Sequence, residues 1–373
     1  MSRAPLLVYE FFAGGGMARL GLGWACTFAN DVDPLKARTY RANFGDAHLV
    51  ERDVWAVEAS DLPGRADLAW ASSPCQDLSL AGERAGLAGR RSSAFWGFWR
   101  LIEALNAEGR APRAIVLENV AGLLTSKGGA DVAAIGAAFA RAGYLFGAVE
   151  IDAAAFLPQS RPRAFLIAAR AAPPAITGTA ASTTPAVRRA AERLPEALKR
   201  RWVWWRLDAP PARNTALADR LEPDGLVRWR TPAETKALLA QLGPLHRARL
   251  DAAVAGGGRV VGAVYRRVRV EDGHRRQRAE LRLDGLAGCL RTPGGGSSRQ
   301  LLIVADRGRV RSRWLTAREG ARLMGLPESY QLPAGETAAW RVIGDGVAVP
   351  VVRHLAEQLL EPLLAAAPVI AAE

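Results

Sequence analysis

The chain has 373 residues, a formal net charge of +13 and a sequence pI near 10.6. Because 49% of its residues are hydrophobic and 23% are charged, it can bury a sizeable core, which excludes a disordered protein. No uncharged apolar run reaches the roughly 18 residues that a membrane-spanning helix needs. Glu10 interrupts the first apolar run too early for a signal peptide. The length predicts two or three domains.

The cysteines indicate a reducing environment. The sequence contains three, Cys26, Cys75 and Cys289, which are too few and too scattered for a disulfide framework. We therefore expect a cytoplasmic protein, and the sequence predicts no metal site.

The positive charge is concentrated in one part of the chain. Residues 171–330 contain 30 Lys and Arg against 15 Asp and Glu, a net charge of +15, whereas the remainder has a net charge of −2. Only four residues are lysines, so a compositional bias explains the preference for arginine but not its segregation. One basic block is typical of a domain that meets a polyanion such as a nucleic acid.

Residues 1–170 alternate short apolar runs with segments of helical periodicity. The predicted strands are 4–12, 24–30, 67–71, 114–118 and 164–169, and the predicted helices are 34–44, 95–107 and 131–142. This alternation indicates βαβ units and a mostly parallel α/β sheet. Functional sites on such sheets lie at the carboxyl ends of the strands.

The pattern changes after residue 170. Residues 171–185 are small, polar and proline-containing, and we interpret them as a linker. Residues 259–270 alternate apolar and basic side chains, which predicts a strand with one charged face. Thr316, followed three residues later by Glu319, predicts a capping box at the start of a helix. Residues 347–366 predict a final helical stretch.

A glycine cluster follows the first predicted strand. Gly14 and Gly16 fit the first two glycines of G-x-G-x-x-G, but Arg19 occupies the third position. Such a turn lets a backbone approach a ligand closely. Asp31, at the end of the next strand, could hold ribose hydroxyls, and Asp53 could meet an adenine amino group. A purely structural turn flanked by surface acids is the alternative interpretation.

Three kinds of reactive or charged side chain are predicted at strand ends. Cys75 follows a strand and is a candidate nucleophile, although an isolated cysteine is usually a small buried hydrophobe. Glu118 ends the apolar run 114–117, so its carboxylate should emerge at the same edge of the sheet. Arg161 and Arg163 stand just before another strand. Together they provide a nucleophile, an acid and an oxygen-binding clamp.

In this order, the motifs resemble those of the DNA (cytosine-5) methyltransferase family. The matching segments are F-A-G-G-G at 12–16, the acidic segment 31–44, Asp53, P-C-Q at 74–76, E-N-V at 118–120, Q-S-R-P-R at 159–163, 291–300 with 316–324, and 344–347. The resemblance covers residues 1–170 and roughly 286–365, and it leaves the region between them as a variable target-recognition region. It implies a Rossmann-like S-adenosylmethionine-dependent methyltransferase sheet with a smaller, basic target-recognition domain.

The resemblance also implies domain boundaries. Residues 1–172 would form the catalytic and cofactor-binding domain, 173–335 the target-recognition domain and hinge, and 336–373 a C-terminal segment that returns to the catalytic domain.

The resemblance assigns catalytic roles. Cys75 would add to carbon 6 of cytosine, and Glu118 would protonate or hydrogen-bond ring N3. Arg161 and Arg163 would favour the thiolate, and Arg163 would also bind the cytosine O2. The target base must be flipped out of the duplex, because its reacting carbon is otherwise stacked between neighbouring bases.

Nine residues would bind S-adenosylmethionine. Phe12 would lie against it, Gly14 and Gly16 would leave room at its methionine end, Asp31 would hold the ribose and Asp53 the adenine. The set is completed by Val32, Pro74, Asp345 and Gly346. Val32 departs from the family because many members carry an aromatic residue there. Asp345-Gly346 departs from the usual Asn-Ser type pair, because an ionised Asp cannot donate hydrogen bonds.

Four residues are predicted to contact double-stranded DNA: Gln159, Arg266, Arg267 and Arg299. For Arg266 and Arg267 a solvated basic face is an equal alternative. Residues 294–299 suggest a loop that contacts the DNA backbone. Residues 201–206 interleave tryptophan with arginine, which is consistent with groove contact but is more typical of a core strand with flanking charges.

Three other functions are weighed against DNA methylation. One branch of the family methylates transfer RNA, but the long basic insert favours DNA. A DNA-binding protein on a decayed scaffold is disfavoured by the intact Cys75, Glu118, Arg161 and Arg163. A nicotinamide dehydrogenase is disfavoured by Arg19. We further expect a nucleoid-associated monomer, with a cognate restriction endonuclease as a potential partner in the same system.

Overall fold

The computed structural model describes residues 5–74, 93–271, 273–292 and 299–365. Its strands are β1 (Leu7–Phe11), β2 (Ala25–Asn30), β3 (Leu49–Val50), β4 (Leu68–Ala71), β5 (Ala114–Val120), β6 (Leu145–Asp152), β7 (Pro162–Ala169), β8 (Val260–Glu271), β9 (His274–Arg282), β10 (Leu301–Asp306) and β11 (Arg309–Trp314). Its helices are α1 (Met17–Leu22), α2 (Pro34–Phe44), α3 (Ser93–Ala107), α4 (Ala130–Arg141), α5 (Pro185–Glu192), α6 (Glu196–Lys199), α7 (Pro232–Leu239), α8 (Pro244–Ala255), α9 (Ala317–Leu323), α10 (Glu336–Asp345), α11 (Val349–Leu355) and α12 (Glu361–Ala365). None of the described helices is long and apolar enough to cross a membrane.

The chain divides into two compact units. The first unit comprises Met1–Asp152, Pro162–Pro210 and Val349–Glu373, and the second comprises Ala153–Arg161 and Pro211–Ala348. The domain boundaries given above stay predictions.

The first unit is built on a seven-stranded sheet in the order β3-β2-β1-β4-β5-β7-β6. Strands β1 to β5 are parallel to one another, whereas β7 runs antiparallel to both β5 and β6. The structure thereby confirms the predicted α/β class and mostly parallel sheet.

The central strands are buried on both faces, which explains their continuous apolar sequences. All four residues of β4 are buried. Side chains from α3 and α4, such as Trp99 and Phe139, belong to one core cluster with Leu117 and Leu166 of the sheet. The alternate strand residues, such as Val116, are also fully buried. The parallel strands therefore present their ends rather than their faces to ligands.

Residues 162–210 belong entirely to the first unit. The predicted linker is not a free connection, because Ile176 is buried and Thr177 pairs with Trp205 in an isolated bridge. Trp205 is 1% exposed, and Trp202 bridges to Phe146 of β6, so the Trp-Arg segment extends the core. Residues 171–210 carry seven Lys and Arg against three acids. A net charge of +4 from the basic block therefore belongs to the first unit.

The second unit contains an antiparallel sheet in the order β11-β10-β8-β9. Its core includes Leu238, Leu250, Leu281 and Ile303. The predicted capping box at α9 is confirmed, because Thr316 and Glu319 exchange side-chain to backbone hydrogen bonds. The unit holds 25 Lys and Arg against 14 Asp and Glu, so +11 of the net charge resides in it.

Candidate active site

The turn after β1 brings the chain back over the carboxyl edge of the sheet. Phe12 and Gly14 have φ angles of +55° and +57°. This left-handed conformation is rare for Phe and is often found where backbone strain serves a binding site. The Gly14 N–H donates to Asp31 Oδ2 over 2.8 Å, which fixes the turn to the end of β2.

The two glycines of this turn serve different purposes. A Cβ placed on Gly14 would meet no atom within 4 Å, so the space beside it is open. A Cβ on Gly16 would lie 2.3 Å from the Phe44 ring, so Gly16 is needed for close packing of α1 against α2. The open space at Gly14 fits a ligand that approaches the backbone closely.

Acidic and apolar side chains follow the ends of β2 and β3, which are neighbouring strands of the sheet. Asp31 accepts hydrogen bonds from Gly14 and Asp33, and burial raises the pKa of its carboxyl group. Asp53 is exposed and accepts from the Trp55 N–H over 2.9 Å. Val32 is 61% exposed and Trp55 48% exposed. Acids flanked by exposed apolar surface suit a nucleoside, whose sugar is polar and whose base is flat.

Trp55 was not singled out from the sequence. Its ring packs where α3 has no side chain, because a Cβ on Gly97 would lie 3.0 Å from the Trp55 ring. The sequence signal that could have identified Trp55 as a candidate site residue is its position, an aromatic residue two positions after Asp53.

Glu118 and Arg163 meet at the carboxyl end of β5. Antiparallel pairing of β5 with β7 sets Arg163 opposite Val120, on the same face of the sheet as Glu118. Arg163 Nε lies 3.0 Å from Glu118 Oε1, and the two side chains are 13% and 9% exposed. This nearly buried ion pair fixes the carboxylate at the sheet edge.

The chain just before the P-C-Q segment follows β4 and contacts Asn119, the residue after Glu118, on the neighbouring strand β5. Asn119 Nδ2 lies 3.3 Å from Ser73 Oγ and 3.4 Å from the Ser73 carbonyl oxygen. Pro74 is exposed just after this contact. Cys75 itself lies outside the described residues, as do Gln76 and 294–298 of the predicted DNA-contact loop.

Gln159 and Arg161 face the interior of the second unit. Gln159 is fully buried, and its amide donates to the Leu323 carbonyl and accepts from the Leu290 N–H. Arg161 is 2% exposed and donates to the carbonyl oxygens of Leu290, Gly344 and Gly346 over 2.7, 2.9 and 2.6 Å.

Asp345, which lies between Gly344 and Gly346, forms a hydrogen bond within the second unit. Its carboxylate accepts a hydrogen bond from the Thr292 hydroxyl. Gly344 allows close backbone approach, since a Cβ there would lie 2.2 Å from the Thr292 nitrogen. The segments around 290–292 and 344–346 are thus held together by Arg161 and Asp345.

The three predicted DNA-contacting arginines are each engaged within the second unit. The Arg299 guanidinium lies 2.5 Å from Glu336 and also donates to the Leu315 carbonyl. Arg267 Nε lies 3.2 Å from Glu280. Arg266 stacks 5.2 Å from the centroid of the Trp314 ring.

The fold is that of an α/β protein whose strand ends, the edge where such sheets bind ligands, carry an open glycine turn, buried and exposed acids and an ion pair. Residues 6–361 match the family model described as C-5 cytosine-specific DNA methylase, and the chain belongs to that family. It is accordingly a cytosine-5 DNA methyltransferase.

Individual relatives agree with this assignment. The chain is 27% identical over 365 residues to the Type II methyltransferase M.NlaX of Neisseria lactamica, covering 96% of this chain and 97% of that protein. It is 27% identical to the Type II methyltransferase M.HpaII of Haemophilus parainfluenzae, covering 97% and 91%. The crystal structure of S. pombe Dnmt2 methyltransferase shares the fold, with a TM-score of 0.62, 19% identity and coverage of 96% and 99%.

Proposed function

We propose that the chain methylates carbon 5 of a flipped-out cytosine within one duplex DNA sequence, through a covalent adduct of Cys75, as the modification enzyme of a Type II system. The nearly buried Glu118–Arg163 pair at the end of β5 carries this proposal. It supplies a fixed carboxylate and guanidinium at the edge where the sequence places Cys75.

The chemistry requires activation of the pyrimidine ring, because carbon 5 of cytosine is a poor nucleophile. Addition of the Cys75 thiolate to carbon 6 breaks the aromaticity and makes carbon 5 enamine-like, so that carbon 5 can take the methyl group. Loss of the carbon 5 proton and expulsion of the Cys75 thiolate then restore the aromatic ring. Glu118 stabilises the ring at N3, where negative charge would otherwise develop. Arg163 holds Glu118 through Nε and donates from Nη1 to the Pro162 carbonyl. By the family resemblance, its guanidinium would also donate to the cytosine O2.

S-adenosylmethionine supplies the methyl group in this family. Gly14 would let it approach the turn, and Phe12 would lie against it. Asp31 and Asp53 would accept from the ribose hydroxyls and the adenine amino group. The exposed indole of Trp55 offers the aromatic face that Val32 lacks.

Other predicted cofactor residues have less support. The Asp345 carboxylate already accepts from Thr292. For Asp345, Gly346, Pro74 and Gly16, contact with the cofactor stays a prediction.

The positive charge of the second unit would grip the DNA while the base is flipped. A net charge of +11 can neutralise several phosphates, which makes binding strongly salt-dependent. We assign Gln159 to support rather than to DNA contact, and Arg161 to support rather than to stabilisation of the Cys75 thiolate, because their hydrogen bonds hold backbone segments inside the unit. Arg299 would reach a phosphate only by exchanging its Glu336 partner.

The test compares Cys75→Ala and Glu118→Gln with the wild type on duplex DNA and on transfer RNA, with labelled cofactor. We expect methyl transfer to DNA alone, no transfer by Cys75→Ala, and a covalent adduct of the wild type with 5-fluorocytosine DNA. Full activity of Cys75→Ala would exclude the covalent scheme, and methylation of transfer RNA alone would exclude the DNA substrate.

The relatives' Type II names support a cognate restriction endonuclease as a functional partner. Its presence is tested by assaying extracts of the source cells for cleavage of unmethylated DNA that carries the methylated sequence, which the methylated DNA should resist. A monomeric state and a location at the nucleoid stay predictions, which sedimentation and microscopy of a tagged chain would check.

A further inference from the structure

One buried acid of the first unit, Glu10, has no part in the proposed chemistry. It is the fourth residue of β1, is 1% exposed, and stands two residues before the glycine turn at 12–16. Its Oε1 accepts the backbone N–H of Arg19, the third residue of α1, over 3.1 Å. The carboxyl group of Glu10 therefore joins the two elements that the turn connects.

This hydrogen bond supplies a cap that α1 lacks. The first N–H groups of a helix have no partner within the helix, and an N-cap side chain usually accepts from one of them. The N-cap residue of α1 is Gly16, which has no side chain to do so. Glu10 accepts from the first turn of α1 in its place, and it thereby fixes where the helix begins relative to β1.

The turn is held by two buried acids, one at each of two points. Asp31 is 7% exposed and accepts from Gly14 in the middle of the turn. Glu10 ties the end of the turn at Arg19. The left-handed conformation of Phe12 and Gly14 lies between these two anchors. The shape of the proposed cofactor turn therefore depends on both carboxyl groups.

The second oxygen of Glu10 has no compensating partner. Oε2 is buried and accepts no hydrogen bond within the described part of the chain. The Arg19 guanidinium donates to the Tyr40 hydroxyl over 3.0 Å and contacts His48, instead of pairing with Glu10. The titratable or charged side chains that face Glu10 come from α1, from α2, from β2 and from the residue after β2: Arg19, Tyr40, Cys26 and Asp31.

These surroundings favour the neutral carboxyl group. Burial raises the pKa of Glu10 to about 8, and the nearby Asp31 charge acts in the same direction. Burial also raises the pKa of the Cys26 thiol and of the Tyr40 hydroxyl, and it lowers the pKa of His48. Within this cluster, Glu10 is thus the group that changes its charge between about pH 7 and pH 9.

We propose that Glu10 is a positioning residue for S-adenosylmethionine, and that only its neutral form holds the turn in the shape that binds the cofactor. An ionised Glu10 would place a second buried negative charge near Asp31, with no cation bonded to it. The turn can relieve this repulsion only if Asp31 or the Arg19 end moves. Asp31 is the proposed ribose acceptor, so the inference rests on the proposed cofactor site and makes its affinity depend on one proton.

The experiment is calorimetric titration of the full chain with S-adenosylhomocysteine at pH 7 and at pH 9. It compares the wild type with Glu10→Gln, which keeps an oxygen acceptor for the Arg19 N–H but cannot ionise. The matched control is Glu150→Gln on β6, four strands away in the same sheet, where the carboxylate accepts from Thr184. Thermal unfolding at both pH values shows that each protein is folded during the titration.

The expected change in affinity follows from the fraction of neutral Glu10. For a pKa of about 8, this fraction falls from about 0.9 at pH 7 to about 0.1 at pH 9, and the apparent affinity falls with it. The amino group of the ligand ionises equally for all three proteins. The wild type and Glu150→Gln should therefore lose about tenfold more affinity over this interval than Glu10→Gln.

A role of Glu10 in stability alone would move the unfolding midpoint and leave the pH dependence of affinity unchanged. An equal loss of affinity by the wild type and Glu10→Gln therefore overturns the proposal, while the cofactor site stands. A Glu150→Gln profile that matches Glu10→Gln overturns it as well. Absence of binding by the wild type at both pH values overturns the cofactor site itself, and this inference with it.

A second measurement on the wild type decides the question if Glu10→Gln does not fold. Titrations at pH 8 in two buffers of different ionisation enthalpy give the number of protons taken up with the ligand. Uptake of about half a proton supports the proposal, because about half of Glu10 is ionised at this pH before binding. Binding without proton uptake overturns it.

Discussion

Replacing Gly14 by alanine separates backbone strain from ligand contact. Gly14 has a φ of +57° and open space where a Cβ would stand. Gly64, in the same unit, has a φ of +63° and equally open surroundings. Alanine at either position therefore pays the same kind of conformational penalty, but only Gly14 lies at the proposed cofactor site.

The expected magnitudes follow from this geometry. A left-handed alanine costs roughly 1–2 kcal/mol relative to glycine, so both variants should unfold a few degrees lower. The new Cβ of Gly14→Ala would also occupy the open space beside the turn. A close-packed ligand there should lose more than about 1.4 kcal/mol, which is a tenfold loss of affinity.

The assay is calorimetric titration of each variant with S-adenosylhomocysteine, alongside thermal unfolding. We expect at least tenfold weaker binding by Gly14→Ala and wild-type binding, within twofold, by Gly64→Ala. If Gly14→Ala binds as tightly as Gly64→Ala, the cofactor does not approach this turn.

Three further variants test other parts of the site. A double-mutant cycle of Glu118→Gln and Arg163→Ala should give a coupling of roughly 2–3 kcal/mol in denaturant unfolding; a value near zero would mean that the pair is not formed. Glu10 is buried, and burial raises the pKa of its carboxyl group to about 8. Its contribution to stability is therefore full below pH ~4.5 and lost as the pH rises through about 8, by at most roughly 4–5 kcal/mol. Glu10→Gln should flatten this decline in pH-dependent unfolding, and an unchanged profile would contradict the assignment. Arg161→Met should cost roughly 2–4 kcal/mol by leaving two buried carbonyls and one partly buried carbonyl without their donor; wild-type stability would show that these bonds are replaceable.

Much of the sheet edge could be predicted from local sequence. Apolar runs that end in a polar residue locate strand ends, so Asp31 and Glu118 were found by pattern alone. The capping box of Thr316 and Glu319 was equally predictable from the sequence, because both partners lie within one helical turn.

The remaining features depend on partners distant in sequence. The burial of Gln159 depends on Leu290 and Leu323, more than 100 residues away. The packing of Trp205 against β7, through a hydrogen bond to the Ile167 carbonyl, is likewise invisible to a local pattern. Proline and small residues at 171–185 therefore suggested a linker where the structure has packed chain.

The most direct test maps 5-methylcytosine at base resolution in DNA from a methylation-free host that expresses either the wild type or Cys75→Ala. The account predicts one sequence motif methylated in every copy with the wild type, and none with the variant. Absence of 5-methylcytosine with the wild type, or the same methylated motif with Cys75→Ala, would contradict it.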